Sequence, residues 1–270
     1  PLTLPASDTV GWDLPVETIV IKHFGIGSGP MGSDGQRPVE TRMMQRKDDG
    51  WHFYTYVWRP DGSDADLWLI GTDRTYEVPG GGKQSWRFPS QDDCKSCHSG
   101  QNSKLLGVET AQLNGDRKYG DKTFNQLDVM RHGGLIAGFK GVDKHLAFVD
   151  PTAPGAADHT LETRARTYLH VQCGTCHQPA AAASTELDLR YGTATKNTGA
   201  CGKKPQQGDL GGPQARLLSP GKPQSSTLYL RMVAKPTAKV FMPSLGVSIA
   251  DTAGSALIKQ WIASMEACPQ

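Results

Sequence analysis

Along the first third of the chain, apolar and polar side chains alternate in short runs broken by turn residues, the period-two signature of β-strands. Thr18-Ile19-Val20-Ile21-Lys22-His23-Phe24 is a β-branched run, and residues 41–47 match residues 51–58 across Asp48-Asp49-Gly50 as the arms of a hairpin. A third run, Ala65-Asp66-Leu67-Trp68-Leu69-Ile70, follows the turn Pro60-Asp61-Gly62. On the second arm of the hairpin, Trp51, Phe53, Thr55 and Val57 share one face and His52, Tyr54, Tyr56 and Trp58 the other. Aromatics on both faces predict a sheet covered on two sides. The pattern therefore predicts an antiparallel β domain over residues 1–85, with Pro79-Gly80-Gly81-Gly82 marking its boundary.

Downstream the period lengthens to that of a helix. Leu161, Ala165, Tyr168, Leu169 and Cys173 recur at helical spacing, as do Ala253, Leu257, Ile258, Trp261, Ile262 and Met265, with Asp251 placed to cap the second of these helices. Shorter helices are expected after Ser90, over residues 124–131 with a stop at Gly133-Gly134, and around Leu228-Tyr229-Leu230. The expected class is α+β and multidomain: residues 1–85, then 86–158, then 159–270.

Composition narrows the class further. The 270 residues include 31 Gly and 18 Pro, too much turn chemistry for a helical bundle. No stretch approaches the roughly 18 apolar residues of a membrane span, and the chain opens without a basic-then-apolar signal segment, so it reads as a soluble, already processed product or fragment. The net charge of +2 hides a gradient, since residues 159–270 carry 12 basic and 6 acidic side chains. That excess is too diffuse for a nucleic-acid footprint, but it suits the steering of an acidic protein partner.

Six cysteines carry the candidate chemistry. Cys94-Lys95-Ser96-Cys97-His98 and Cys173-Gly174-Thr175-Cys176-His177 are two copies of Cys-x-x-Cys-His, the attachment pattern of c-type haem. Two thiols one helical turn apart can each add to a vinyl group, while the adjacent His becomes the proximal iron ligand. A four-cysteine zinc ribbon would place its pairs roughly 15–20 residues apart; here about 75 residues separate them. A thioredoxin-like redox pair gives no reason for His to follow both times, and a disulfide within each four-residue loop would be strained. Two covalent haem c groups are the expected cofactors. Their attachment takes place outside the cytoplasm, where disulfides also survive, so the expected location is periplasmic or otherwise extracytoplasmic. Cys201 and Cys268 are then either a disulfide pinning the C-terminus to a Gly/Lys-rich loop or two separate thiols.

A six-coordinate electron-transfer haem needs a second axial ligand opposite His98 and His177. For the second haem the candidates are Met232, Met242 and Met265. Met242 is preferred because Pro243 disfavours helix there and leaves an extended loop, whereas Met265 belongs to a helix stripe. For the first haem His132, beside two glycines, is preferred, with Met130 as the alternative and an open iron as the third arrangement. His23, His52, His145, His159 and His170 have no matching context and are expected in ordinary polar roles. Two helices bracketing a loop-rich middle, with the second motif ending the first helix, is the plan of a class I cytochrome c domain over residues 159–270.

These residues resemble a bacterial family of periplasmic diheme c-type cytochromes whose haem region also occurs linked to quinoprotein sugar dehydrogenases. The matching stretches are Leu14-Pro15-Val16-Glu17-Thr18-Ile19-Val20-Ile21-Lys22, Val39-Glu40-Thr41-Arg42, Phe88-Pro89-Ser90 and Leu106-Gly107-Val108-Glu109-Thr110-Ala111-Gln112-Leu113-Asn114. Asn125-Gln126-Leu127, Asp188-Leu189-Arg190 and Met242-Pro243-Ser244-Leu245-Gly246 complete them. The resemblance spans about residues 14–265 and implies single-electron transfer between extracytoplasmic redox proteins. The donor would be of the quinoprotein dehydrogenase kind and the acceptor a cytochrome or terminal oxidoreductase, with His132 and Met242 as ligands. Ser244 stands where such cytochromes commonly have a second proline, and the beginning looks clipped, as though an upstream region were missing. No catalytic residue is assigned. The alternative is a diheme redox enzyme, peroxidase-like or acting on another small molecule, with one open-coordination haem. A third reading makes the β domain a docking module for a dehydrogenase.

Overall fold

The hairpin read from residues 41–58 forms the middle of the first sheet of the computed structural model. The structure describes residues 1–27, 36–79, 81–98, 105–153, 156–179, 181, 183, 185–208, 210–244 and 246–270. Gly80 of the Pro-Gly turn and Leu245 of the Met242 loop lie outside them. In chain order the strands and helices are β1 (Leu2–Thr3), β2 (Ile19–Gly27), β3 (Gln36–Lys47), β4 (Gly50–Trp58), β5 (Ala65–Trp68), β6 (Thr72–Glu77), β7 (Lys83–Phe88) and α1 (Gln91–His98). They continue as α2 (Thr110–Leu113), β8 (Asp116–Tyr119), β9 (Lys122–Asn125), α3 (Gln126–His132), β10 (Ile136–Ala137), α4 (Leu161–Leu169), α5 (Thr227–Met232) and α6 (Thr252–Ser264). The architecture is mixed α and β with predominantly antiparallel pairing, and it divides into two compact units. One is Leu14–Lys104; the other joins Pro1–Asp13 to Leu105–Gln270.

In the first unit, β2-β3-β4-β5 pair antiparallel in that order. Lys47 faces Gly50, leaving Asp48-Asp49 as a two-residue loop, and Gly50 takes a positive φ of 130° that an L side chain rarely adopts. The alternation on β4 is clean: Trp51, Phe53, Thr55 and Val57 are buried, and the opposite residues are half-buried. The core gathers Ile26, Val39, Val57, Tyr76 and Phe88. Two of these come from a hairpin that hydrophobic periodicity does not reveal, β6 with β7, paired from Thr72↔Phe88 to Glu77↔Lys83. Pro79 and Gly81-Gly82 lie in its connecting turn. They close a hairpin instead of ending a unit, and the chain runs on through β7 into α1.

In the second unit, β1 lies parallel to β10, and Trp12 is buried with its indole N–H donating to Thr110 Oγ1 at 3.1 Å. The α3 helix begins at Gln126, capped by the Asn125 side chain, so Phe124 belongs to β9 and is exposed instead of starting the helix. Asn125 accepts the Leu127 N–H and so fixes where the helix starts. It ends at Gly133, with Gly134 in the left-handed region at φ 70°.

The main core of this unit is the crossing of α4 and α6, where Ala165, Tyr168, Leu169, Leu257, Ile258, Trp261 and Ile262 are buried together with Leu189, Leu218 and Met232. Thr160 caps α4 and Asp251 caps α6. Asp251 also accepts the Tyr168 hydroxyl at 3.0 Å, and this hydrogen bond ties the cap of one helix to a ring of the other. Gly254 lies directly under that ring, and an added Cβ would overlap it. Gly254→Ala is expected to cost about 2 kcal/mol in denaturant unfolding. An overpacking penalty near ~3 kcal/mol outweighs the ~1 kcal/mol that alanine gains in helix propensity. A midpoint unchanged from the parent would show that the Tyr168 ring moves aside freely. Cys201 and Cys268 form the disulfide, closing a sequence separation of 67.

Candidate functional site

The first motif is set up by a reciprocal cap. Ser90 Oγ accepts the Asp93 N–H at 3.1 Å and Asp93 Oδ2 accepts the Ser90 N–H at 2.9 Å, so the chain turns into α1 just before Cys94. The Ser90 N–H, followed by the Arg87 guanidinium, holds the Asp93 carboxyl below the usual carboxylate range despite partial desolvation. Cys94 and Cys97 are half-buried, three residues apart on this helix, and His98 closes it. The His98 ring packs on buried Phe53 of β4 with centroids 5.6 Å apart. Its Nδ1 is buried and has no hydrogen-bond partner among the described residues. Burial first, then the charges of Arg42 and Lys22, pull its pKa down to about 4. At neutral pH the ring is therefore uncharged and keeps a nitrogen lone pair, the form that ligates a metal.

The second motif ends a helix. The last turn of α4 widens into a π turn, His170–Gly174, after which the N–H groups of Cys176 and His177 both donate to the Cys173 carbonyl, at 3.1 and 2.9 Å. This winds both cysteines and the histidine into one turn. Cys173 is half-buried and packs against the α4–α6 core, and burial pushes its thiol up to about 12; burial takes Cys94 to about 11. Apolar surroundings of this kind suit a thioether, which carries no charge. His177 Nδ1 lies 3.2 Å from Thr185 Oγ1, and burial, followed by Arg231, lowers its pKa.

Arg231 also organises the Met242 loop. Its carbonyl accepts the Met242 N–H at 3.1 Å, and its guanidinium donates to the carbonyls of Val240 and Gln207 at 3.4 and 2.8 Å. One residue thus acts electrostatically on His177 and holds Met242 through the backbone. Met232 is buried in the α4–α6 core and Met265 packs against it, whereas half-buried Met242 stands outside that cluster.

The candidates for the other sixth ligand fall on α3, in the unit that does not contain His98. Met130 is half-buried and His132 exposed. His132 Nδ1 is 2.8 Å from the Asp128 carbonyl, which can only accept, so Nδ1 carries the proton and Nε2 the lone pair. The Arg131 guanidinium donates to that Nε2 at 3.1 Å. Nδ1–H on a carbonyl is how a metal-binding histidine is commonly oriented, but here Nε2 is taken up by Arg131.

Most of the remaining histidines have found polar partners. His23 lies 2.7 Å from Thr41 Oγ1, His52 pairs with Asp49 at 2.8 Å, and His145 pairs with Asp8 at 2.8 Å while stacking on Phe139. His170 is buried more deeply than the sequence suggests. It accepts the Tyr191 N–H on Nδ1 at 3.1 Å and so donates from Nε2 to Glu109 Oε2 at 2.8 Å. No local signal betrays this pair, whose members are 61 residues apart.

Among the described residues no three His, Cys, Asp or Glu side chains gather as an ion cage; haem iron takes only axial protein ligands and needs none. Comparisons with protein-family models, curated proteins and solved structures returned no match.

Proposed function

We propose that this chain is a diheme c-type cytochrome passing single electrons between extracytoplasmic redox proteins, with residues 159–270 acting as a class I cytochrome c-like domain. The observation that carries the reading is that each Cys-x-x-Cys-His run is wound into one turn, in surroundings that keep its first thiol and its imidazole uncharged. Cys94, Cys97, Cys173 and Cys176 would hold the two haems through thioethers, and His98 and His177 would ligate the irons. Haem supplies one-electron iron chemistry when bound. The Arg231 clamp favours Met242 as the partner of His177, and His132, with Met130 as the alternative, remains the proposed sixth ligand of the first haem. A thioether ligand raises potential, so electrons are expected to run from the His98 side to the His177 side.

Expression in cells competent for cytochrome maturation is expected to give a coloured protein carrying two haems by mass and pyridine haemochrome count. Cys173→Ser with Cys176→Ser should carry one, and Met242→Ala should keep two while the higher potential falls. A colourless product with the mass of the bare chain would overturn the reading. Rapid peroxide turnover by the intact protein would favour a diheme redox enzyme instead.

A further inference from the structure

The sheet face that carries Phe53 beneath His98 also carries two cations side by side. Lys22 of β2 pairs directly with Arg42 of β3, and Arg42 with Thr55 of β4. Thr55 in turn donates to the Pro89 carbonyl at 3.2 Å, one residue before the cap of α1. Like charges directly opposite on neighbouring strands repel and are normally avoided. One of the two is answered. Arg42 donates from Nε and Nη2 to both oxygens of fully buried Glu40, at 2.7 and 2.9 Å, and the Trp86 indole N–H reaches the same carboxylate at 3.0 Å.

Lys22 is left over. Its ammonium lies over the Phe24 ring, 4.9 Å from the centroid, and the Arg42 guanidinium lies over the same ring at 4.6 Å. No carboxylate is within ion-pair distance of Lys22 among the described residues. Much of its side chain remains in water, yet partial burial, followed by the field of Arg42, holds its pKa below that of an ordinary lysine, while Glu40 pulls the other way. Both cations act on His98. A net positive charge, after Glu40 has cancelled Arg42, therefore stands beside the first motif.

We infer that Lys22, backed by the Arg42–Glu40 pair, is an anion seat on the wall of the first haem site that receives a porphyrin carboxylate and raises that haem's potential. The inference rests on the diheme reading above. Electrostatics fixes the sign: reduction adds negative charge, and a cation kept nearby favours the reduced form, both directly and by neutralising the carboxylate.

Redox titration of the intact, matured protein and of Lys22→Gln tests it. The component belonging to the first motif is assigned by its absence from Cys94→Ser with Cys97→Ser. It can be assigned independently by its survival in Cys173→Ser with Cys176→Ser. Lys22→Gln is expected to lower the one-electron equilibrium constant of that component about threefold, close to 28 mV at ~59 mV per tenfold. Lys22→Glu should lower it about tenfold, Lys22→Arg should restore it, and the other component should not move. Two haems per chain with both potentials unchanged in Lys22→Glu would overturn the seat while leaving the diheme reading intact. Unchanged potentials with slower reduction by a redox partner would overturn it in favour of docking to an acidic protein surface. A wild-type chain without haem would remove the reading itself.

Discussion

Replacing Cys201 and Cys268 together by alanine is expected to lower the stability of the unit containing residues 105–270 by about 4 kcal/mol. The bridge closes a sequence separation of 67, and in the chain-entropy picture a loop of that length restricts the unfolded chain by about 4 kcal/mol at 25 °C. The native side of the balance is well prepared. Ala200 and Leu218 are buried, Gly202 N–H donates to the Leu218 carbonyl at 2.9 Å, and Leu217 N–H donates to the Lys203 carbonyl at 2.7 Å. The first cysteine therefore sits on a segment already tied to the core, and the second follows α6 by a few residues. Met242 lies between the two along the chain, so the same bridge limits how far its loop can stray from α4 and α6. Denaturant unfolding of the matured protein, with and without reductant, measures the effect, and the alanine pair should match the reduced parent. If the two midpoints coincide with that of the oxidised protein, the bridge adds nothing to folding. Thiol titration of the native chain then shows whether it forms in solution at all.

The features read correctly from the sequence are those fixed by neighbours a few residues away. The β3–β4 hairpin declares itself through alternation on both arms and a two-residue turn. Stripes that repeat over three turns declare α4 and α6, and Asp251 and Ser90 are recognisable caps because a cap acts within its own turn. The winding of the two Cys-x-x-Cys-His runs is equally local, since each fits within about one turn.

What the pattern hides depends on distant partners. Thr72-Asp73-Arg74-Thr75-Tyr76-Glu77 offers only Tyr76 to the core, so the β6–β7 hairpin has no hydrophobic run to reveal it, and its glycine-rich turn imitates a boundary. Phe124 completes a plausible apolar stripe with Leu127, but pairing of β8 with β9 claims it for a strand. Nothing around Met242 separates it from Met232 except a following proline; the separation is made by the core that absorbs one and leaves the other outside. Glu40 reads as a surface residue in a β-strand, and only the sheet register shows it buried between Arg42 and Trp86.

That buried carboxylate leads to the second large effect: Arg42→Met is expected to destabilise the Leu14–Lys104 unit by about 3 kcal/mol. Glu40 is fully buried, whereas the Arg42 side chain is 32% exposed. Water already reaches the guanidinium in part, so the loss belongs at the low end of the ~3–5 kcal/mol that follows removal of one partner from a buried pair. The penalty comes from the charge left behind, not from the strength of the bond, and this can be shown by removing the charge as well. In Glu40→Gln with Arg42→Met, the amide oxygen still accepts the Trp86 indole N–H, and no ion remains buried. Stability should then return to within about 1 kcal/mol of the parent, about 2 kcal/mol above that of Arg42→Met alone. An Arg42→Met protein within about 0.5 kcal/mol of the parent would mean that water or a proton has reached Glu40, and the wall beneath His98 would then be looser than the structure draws it. Lys22 supplies the contrast on the same face. It has no buried partner to strand, so its substitutions should leave the unfolding midpoint nearly unmoved while shifting a potential. Stability and the proposed redox tuning are thus separable on one sheet face, because the cation that is neutralised supports the fold and the one that is not remains available to the proposed haem.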